Sequence, residues 1–381
     1  MHESRKKVHI AANTRLFRHG PTDGIGLFTR ELMTRLPKLM GGDSFTFLFD
    51  KPFPDKNSLP KNVTTERLYP PTRLPLLMDL FFEWSVPCAL KSIQPDVFFS
   101  PDGWVSLKTD IPTVSVVHDL NFLHHPEFIA PRWRNYYLKK FPAFLRKADH
   151  LVTVSHFSKM DLVQSLGISP EKITVVYNST AEGFSPVSST REKEKLQLEF
   201  AGGMPYFLHV GSIHQRKNTT GLMQAFGQFR KTHEQPFRLL FAGAKQWWTD
   251  SMQETWENHP FREDILFLGK LPDESLQRMY RGAEALVFPS FFEGFGIPVI
   301  EGFKCGIPVI TSNCTALPEI AGGAACLIDP YQPEQLTEAM RRIVSDIALR
   351  EELITKGVRR AEDFSWDTAA GQIAQILKTY A

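Results

Sequence analysis

Pro289-Ser290-Phe291-Phe292-Glu293-Gly294-Phe295-Gly296-Ile297-Pro298-Val299-Ile300-Glu301-Gly302-Phe303-Lys304-Cys305-Gly306-Ile307-Pro308-Val309-Ile310 is the most informative stretch of this 381-residue chain. It follows an apolar run, Ala285 to Phe288, that reads as a buried strand. It then turns on Gly294 and Gly296 and opens a short helix, with Pro298 in the first turn and Gly306 just past the end. Another strand-like run, Val309 to Thr311, comes next. Strand, turn, helix and strand in that order are the repeating unit of a parallel α/β sheet. The unpaired N–H groups at such a helix start, with the helix dipole, favour an anionic group such as a pyrophosphate. The dipole alone contributes only about 0.3 to 1 kcal/mol at an exposed site, so cations must supply the rest.

Outward from this stretch the same punctuation recurs. Tyr206 to Val210, Arg238 to Ala242, Ile265 to Leu268 and Ala325 to Ile328 complete one series of strands. Val8 to Ala12, Phe45 to Phe49, Asp96 to Ser100, Thr113 to Val117, His150 to Val154 and Ile173 to Tyr177 form another, with a helix from about Ile25 to Leu39. Between the series, Asn178 to Ser189 is rich in Ser, Thr, Gly and Pro, and Arg191 to Lys195 is charged, which places an interdomain linker there. Two open parallel sheets bind ligands beyond the carboxyl ends of their strands, so the natural site is a cleft between them.

Glu293 and Glu301 flank the start of the short helix. Two carboxylates so placed can accept hydrogen bonds from hydroxyls, which suits a sugar and a ribose, although glutamates at such spacing are more often solvated. Gly211-Ser212-Ile213-His214-Gln215-Arg216-Lys217-Asn218 follows the strand ending at Val210, which sets Arg216 and Lys217 where they can neutralise phosphate charge. Thr22 to Thr29 carries Gly24 and Gly26 but lacks the third glycine and the strand-end position of a dinucleotide fingerprint, which counts against a nicotinamide enzyme. A flexible glycine loop near a ligand is the reading that remains. His118-Asp119 stands at the carboxyl end of the strand Thr113 to Val117, as a catalytic group or as a structurally bonded one. His124 and His125 lack the companions of a metal site.

Charge and composition exclude several classes. The net charge is +2, with +5 in residues 1–190 and −3 in the remainder, too balanced for the cationic field of a nucleic-acid binder. Four scattered cysteines, Cys88, Cys305, Cys314 and Cys326, fit reduced thiols. The N-terminus runs from Met1-His2-Glu3-Ser4-Arg5-Lys6-Lys7 straight into a strand without the apolar region of a signal peptide, so a cytoplasmic protein is expected. The richest apolar run, Leu74 to Trp84, is broken by Asp79 and Glu83 and is too short to span a bilayer. Arg132 to Lys147 mixes six cations with five aromatics. That reads as a helix with an apolar stripe toward the core, the rival being a helix that lies on an anionic membrane.

Taken together, Glu293 and Glu301 in a Glu-x7-Glu arrangement, the Glu-Gly-Phe-Gly-x-Pro lead-in, Arg216-Lys217-Asn218 and Thr153-Val154-Ser155-His156-Phe157-Ser158-Lys159 resemble the retaining glycosyltransferases of family 4. The resemblance runs from the Gly24/Gly26 segment to Phe364-Ser365-Trp366-Asp367 and looks nearest to bacterial mannosyltransferases of surface polysaccharide assembly. It implies an α/β protein of GT-B fold, with two Rossmann-like doubly wound domains facing each other across a cleft. Residues 1–185 would bind the acceptor, joined by a last helix at about 365–381, and residues 195–364 would bind the nucleotide sugar. By match to the family motif, Arg216 and Lys217 would hold the diphosphate, Glu293 the donor sugar and Glu301 the ribose, with backbone amides of Phe295, Gly296 and Ile297 on sugar and phosphate. His118 would lie near the donor sugar, and Gly24 and Gly26 near the diphosphate.

The resemblance further implies retention of configuration, no metal and no cofactor beyond the donor, with GDP-mannose favoured and a UDP-sugar as the alternative. The acceptor would be a glycan or a lipid-linked sugar, and the chain would meet the membrane peripherally if at all. One departure is Asn178-Ser179-Thr180, where the family often has Asn-Gly. Rival readings are a nucleotide-sugar epimerase, a glycoside hydrolase, which needs two carboxyls across a glycosidic bond, and a non-catalytic sugar-nucleotide binder.

Overall fold

The computed structural model describes residues 7–18, 20, 23–53 and 59–381. Two compact units divide the chain: residues up to Asn178 together with Ser365–Ala381 form the first, and Ser179–Phe364 the second.

The first unit holds a seven-stranded parallel sheet built from β1 (His9–Asn13), β2 (Ser44–Phe49), β3 (Val63–Arg67), β4 (Val97–Ser100), β5 (Thr113–Val117), β6 (His150–Thr153) and β7 (Ile173–Val175). Their order is β3-β2-β1-β4-β5-β6-β7, and Ile10 registers with both Phe45 and Val97. β4, β5 and β6 are buried at every position, which is why apolar residues fall on successive positions in them, as in strands covered on both faces. β3 escaped the sequence reading because Val-Thr-Thr-Glu-Arg is a polar, half-exposed edge strand, held by its ladder to β2 and by a 3.0 Å bond between the Thr46 and Thr64 hydroxyls. The helix Gly24–Leu39 is capped by Asp23, whose side chain accepts from the Gly26 N–H at 2.8 Å. The helix Trp366–Thr379 packs on it through Phe28 against Trp366, at 5.8 Å between ring centres, and an Arg35–Asp367 pair at 2.9 Å.

The second unit repeats the plan with β8 (Tyr206–Val210), β9 (Arg238–Ala242), β10 (Ile265–Phe267), β11 (Ala285–Phe288), β12 (Val309–Ser312) and β13 (Cys326–Ile328), ordered β10-β9-β8-β11-β12-β13 and all parallel. The charged stretch Arg191 to Lys195, expected to belong to the linker, is instead part of the helix Thr190–Ala201. Ser189 caps that helix, and Leu196 and Ala201 bury its inner face. Each sheet reverses its direction of growth once, between β1 and β4 and between β8 and β11, and such switch points are where α/β sheets place ligands.

At the carboxyl ends of the neighbouring strands β8 and β9 two backbones come very close. A Cβ on Gly243, just past β9, would lie 1.8 Å from the carbonyl oxygen of Gly211, just past β8. Gly243→Ala is therefore expected to cost about 3 kcal/mol through forced backbone displacement, read as a lower melting temperature. An unchanged melt would show that the Gly211 turn yields.

Candidate active site

In the second unit the loop after β8 is fastened to the loop after β11. Gly211 turns the chain with φ of 131°, and His214 Nδ1 accepts the Arg216 N–H at 3.0 Å, capping a single turn at Gln215–Lys217. Asn218, with φ of 56°, redirects the chain into the helix Thr219–Thr232 while its side chain donates to the Pro330 carbonyl at 2.8 Å. The Phe291 N–H donates to the Arg216 carbonyl at 2.9 Å, and an Arg216 guanidinium N–H returns a bond to the Phe292 carbonyl at 2.5 Å.

These bonds bring two cations onto one carboxylate. Arg216 Nη1 lies 2.9 Å from Glu293 Oε2 and Lys217 Nζ 2.5 Å from Glu293 Oε1. Lys217 and Glu293 are each only 8% exposed, and the ammonium sits 4.3 Å over the Phe288 ring. Burial alone would raise the Glu293 pKa, but Arg216 and Lys217 outweigh it and hold the carboxyl down at about 2. With Glu293 ionised, two basic side chains share one carboxylate, an excess of positive charge at this end of the sheet. Beneath it, on β8, His209 is fully buried and donates from Nδ1 to the Val287 carbonyl at 2.9 Å. Burial lowers its pKa to about 4, so the imidazole adds no charge of its own. The sequence reading passed over His209, although a polar residue inside Tyr-Phe-Leu-His-Val was a signal.

Glu301 has the opposite surroundings. It lies on the helix Ile297–Lys304, 7% exposed, and Oε2 accepts the Tyr280 hydroxyl at 2.6 Å. Burial raises its pKa to about 7, against the partial relief given by Tyr280. The two glutamates are therefore a permanent anion with two counter-cations and a carboxyl that is half protonated near neutrality. Gly296, with φ of 111°, begins this helix, and a Cβ there would meet Leu317 at 2.7 Å. Phe295 is buried edge-on to Phe364 at 5.8 Å between ring centres, which anchors the turn that leads to Ile297.

In the first unit His118 follows β5, and its Nε2 donates to the Pro101 carbonyl at 2.9 Å while Phe28 meets the ring edge-on. Burial lowers its pKa, which favours a neutral ring whose Nδ1 is the acceptor. Gly24 and Gly26 do not form the expected flexible loop. They lie in the first turn of Gly24–Leu39, where the Asp23 cap takes the Gly26 N–H. Pro21 and Thr22, ahead of them, lie outside the described residues. His124 pairs with Asp161 at 2.7 Å and His125 with Glu127 at 3.0 Å. Among the described residues no three His, Cys, Asp or Glu converge on one point.

A buried polar cluster that sequence reasoning missed stands at the first switch point. Arg15, past β1, lies 2.7 Å from Asp102, past β4, and Asp102 Oδ1 also accepts from the Asn13 side chain at 2.8 Å. The Arg15 guanidinium lies 5.8 Å from the centre of the Trp104 ring. The residues are far apart in sequence, and only the β1–β4 pairing brings them together.

Residues 190–360 match the family model described as glycosyl transferases group 1, and residues 22–180 that described as glycosyltransferase family 4. O-antigen chain mannosyltransferase B of Escherichia coli is 28% identical over 94% of this chain and 96% of its own length. Sucrose-phosphate synthase from Thermosynechococcus elongatus has the same fold, with a TM-score of 0.80 at 21% identity over 98% of this chain and 99% of that one. HepE from Anabaena, solved in complex with UDP and glucose, gives 0.74 at 16% identity over 98% and 100%. With its two parallel-sheet Rossmann-like halves matched by these two models, the chain belongs to the group 1 and family 4 glycosyltransferases of GT-B fold, enzymes that transfer a sugar from a nucleotide-sugar donor.

Proposed function

We propose that the chain transfers mannose from GDP-mannose, with retention of configuration, to a glycan or lipid-linked sugar acceptor. The second unit takes the donor and the first unit the acceptor. The observation that carries this reading is the convergence of Arg216 and Lys217 on Glu293 at the β8/β11 switch point. An incoming diphosphate competes with Glu293 for the two cations. Once they turn to phosphate, the Glu293 oxygens are freed to accept hydrogen bonds from the donor sugar. Glu301 accepts from the ribose, and the backbone of Phe295 to Ile297 lies along sugar and phosphate.

In the reaction the bond between the anomeric carbon and the diphosphate oxygen breaks as the acceptor oxygen bonds to the same carbon from the same face. The acceptor proton passes to the departing phosphate oxygen. Charge grows on the leaving diphosphate, and Arg216 and Lys217 stabilise it in place of a divalent ion. His118, neutral and held by Pro101, presents an acceptor nitrogen for a donor-sugar hydroxyl. Mannose is favoured by the Escherichia coli mannosyltransferase, and a UDP-sugar is the second reading, favoured by the UDP complex of HepE.

Thermal melts with GDP-, UDP- and ADP-sugars test the donor. A ligand at 100 times its dissociation constant stabilises by about 2.7 kcal/mol, and the expected order puts GDP-mannose first. A chain stabilised by none of them would sink the proposal, and one stabilised by UDP-sugars alone would replace its donor. An inverted anomeric configuration in the product, read by NMR, would overturn retention.

A further inference from the structure

At the first switch point one side chain is saturated and its neighbours are not. Asp102 accepts at Oδ1 from the Asn13 side chain at 2.8 Å and from the Trp104 N–H at 3.3 Å, while Oδ2 faces Arg15 Nε at 2.7 Å. Its side chain is 2% exposed, so it meets no ligand and serves to hold the guanidinium. Arg15 is engaged there through Nε alone, and its terminal nitrogens make no hydrogen bond to a described residue. A guanidinium fixed at one nitrogen keeps a planar fork of donors to offer.

Two more polar groups stand beside it. The helix Pro131–Lys147 turns Tyr136, Phe141 and Phe144 inward around Trp104, as its apolar stripe requires. Tyr137 on the same helix lies 5.3 Å from Trp104 and stacks on Phe122 at 5.4 Å between ring centres. The ring is clamped, yet its hydroxyl makes no hydrogen bond to a described residue, whereas that of Tyr136 is taken by Asp79 at 2.7 Å. Burial raises the Tyr137 pKa, so the phenol stays a donor, and Arg15, Asp102 and Asp119 lie within electrostatic reach of it. Asp119, half-buried just past β5, spends Oδ1 on the Asn121 N–H at 2.9 Å and has no printed partner at Oδ2 among the described residues. The Asn121 side-chain oxygen is buried with no hydrogen-bond partner. Loops after β1, β4 and β5 and one helix thus bring a donor fork, a phenol and a carboxylate to the carboxyl edge of one sheet, where such sheets take ligands.

The charges say what kind of ligand fits. Two carboxylates, Asp102 and Asp119, accompany one guanidinium, and burial favours a neutral His118. A phosphate would meet an excess of negative charge, whereas neutral hydroxyls can both accept from Arg15 and donate to Asp119. We infer that Arg15, Tyr137 and Asp119 grip the hydroxyls of an uncharged sugar at the end of the acceptor, with Asp102 as the residue that positions Arg15. A few polar groups set among clamped aromatic rings are what fixes a ligand's orientation in a pocket. The inference rests on the proposed transfer to a sugar acceptor and narrows it to a neutral sugar rather than a phosphorylated one.

Saturation-transfer NMR on the full chain without donor tests it, using the methyl α-glycosides of mannose, glucose, galactose and N-acetylglucosamine, each beside its 6-phosphate. A neutral glycoside is expected to bind about tenfold or more tighter than its phosphate. Tyr137→Phe removes a hydroxyl that the described residues leave unpaired, so its melt should match the native one while the same glycoside binds about three- to tenfold more weakly. Asp119→Asn should weaken the neutral glycoside by about as much and narrow its margin over the phosphate. In turnover the Tyr137→Phe loss should fall on the acceptor KM and leave the donor KM unchanged, a split that a merely structural role would not produce. The glycoside titration needs no nucleotide, so it can fail while the donor melts of the proposed function succeed, and the reverse. Binding of no glycoside, tighter binding of a phosphate, equal binding by the native chain and Tyr137→Phe, or a rise in the donor KM in place of the acceptor KM would each overturn the inference.

Discussion

Lys217→Ala is expected to lower kcat/KM by about a hundredfold to a thousandfold, the cost of removing one preorganised group that stabilises charge in a transition state. Lys217 also has a structural task, since it is one of the two counter-ions of a buried carboxylate. Removing one partner of a buried pair typically costs about 3 to 5 kcal/mol. Arg216 stays on Glu293, so the stability loss here should fall below that range. The two tasks separate in the double variant Lys217→Ala, Glu293→Gln, because a neutral amide needs no counter-ion. Its melting temperature should recover toward that of the native chain while its activity remains as low as that of Lys217→Ala or lower. Release of nucleoside diphosphate and a melt measure both. A loss of less than about tenfold with the fold intact, or activity restored by the double variant, would remove Lys217 from the chemistry and leave it a counter-ion only.

What the sequence disclosed of all this was uneven for physical reasons. Strands buried on both faces announce themselves as apolar runs, so β4, β5, β8 and β11 were readable to within a residue, whereas the edge strand Val63–Arg67 carries its hydrogen bonds without that pattern. Arg216, Lys217 and Glu293 were legible because strand ends and glycine turns mark where an α/β sheet offers its ligands, and the structure brings those three together. Gly24 and Gly26 misled because an Asp cap at Asp23 converts a glycine-rich stretch into a helix start. The Arg15–Asp102 pair and the Tyr280–Glu301 bond were invisible because strand pairing and packing, not spacing, make such contacts.

Glu301→Gln is expected to make the protein more stable above about pH 7 and a poorer binder of its donor at the same pH. An unfolded glutamate gives up its proton near the ordinary value of 4.5, while burial lets the folded chain keep it until about 7. Between those values the folded state binds more protons, so the favourable contribution is fully present below about 4.5 and is lost as pH rises through 7. Above that the native chain carries a buried carboxylate at a cost of about 3 kcal/mol. Glutamine can still accept the Tyr280 hydroxyl and has no charge to bury, so the variant should match the native melt near pH 5 and exceed it by several degrees above pH 8. Donor binding should run the other way. Ribose hydroxyls donate best to an ionised carboxylate, so the affinity for a sugar nucleotide, whose phosphodiester groups do not titrate in this range, should rise with pH through 7 and then level off. The variant should bind more weakly and show a flatter profile, because other groups common to both chains cancel in the comparison. In Tyr280→Phe the midpoint should move up, since the lost hydroxyl favoured the ionised form. Calorimetric titrations and melts across this range read both curves. An affinity profile that is the same in the native chain and in Glu301→Gln would detach Glu301 from the ribose and leave it a buried acid whose only partner of consequence is Tyr280.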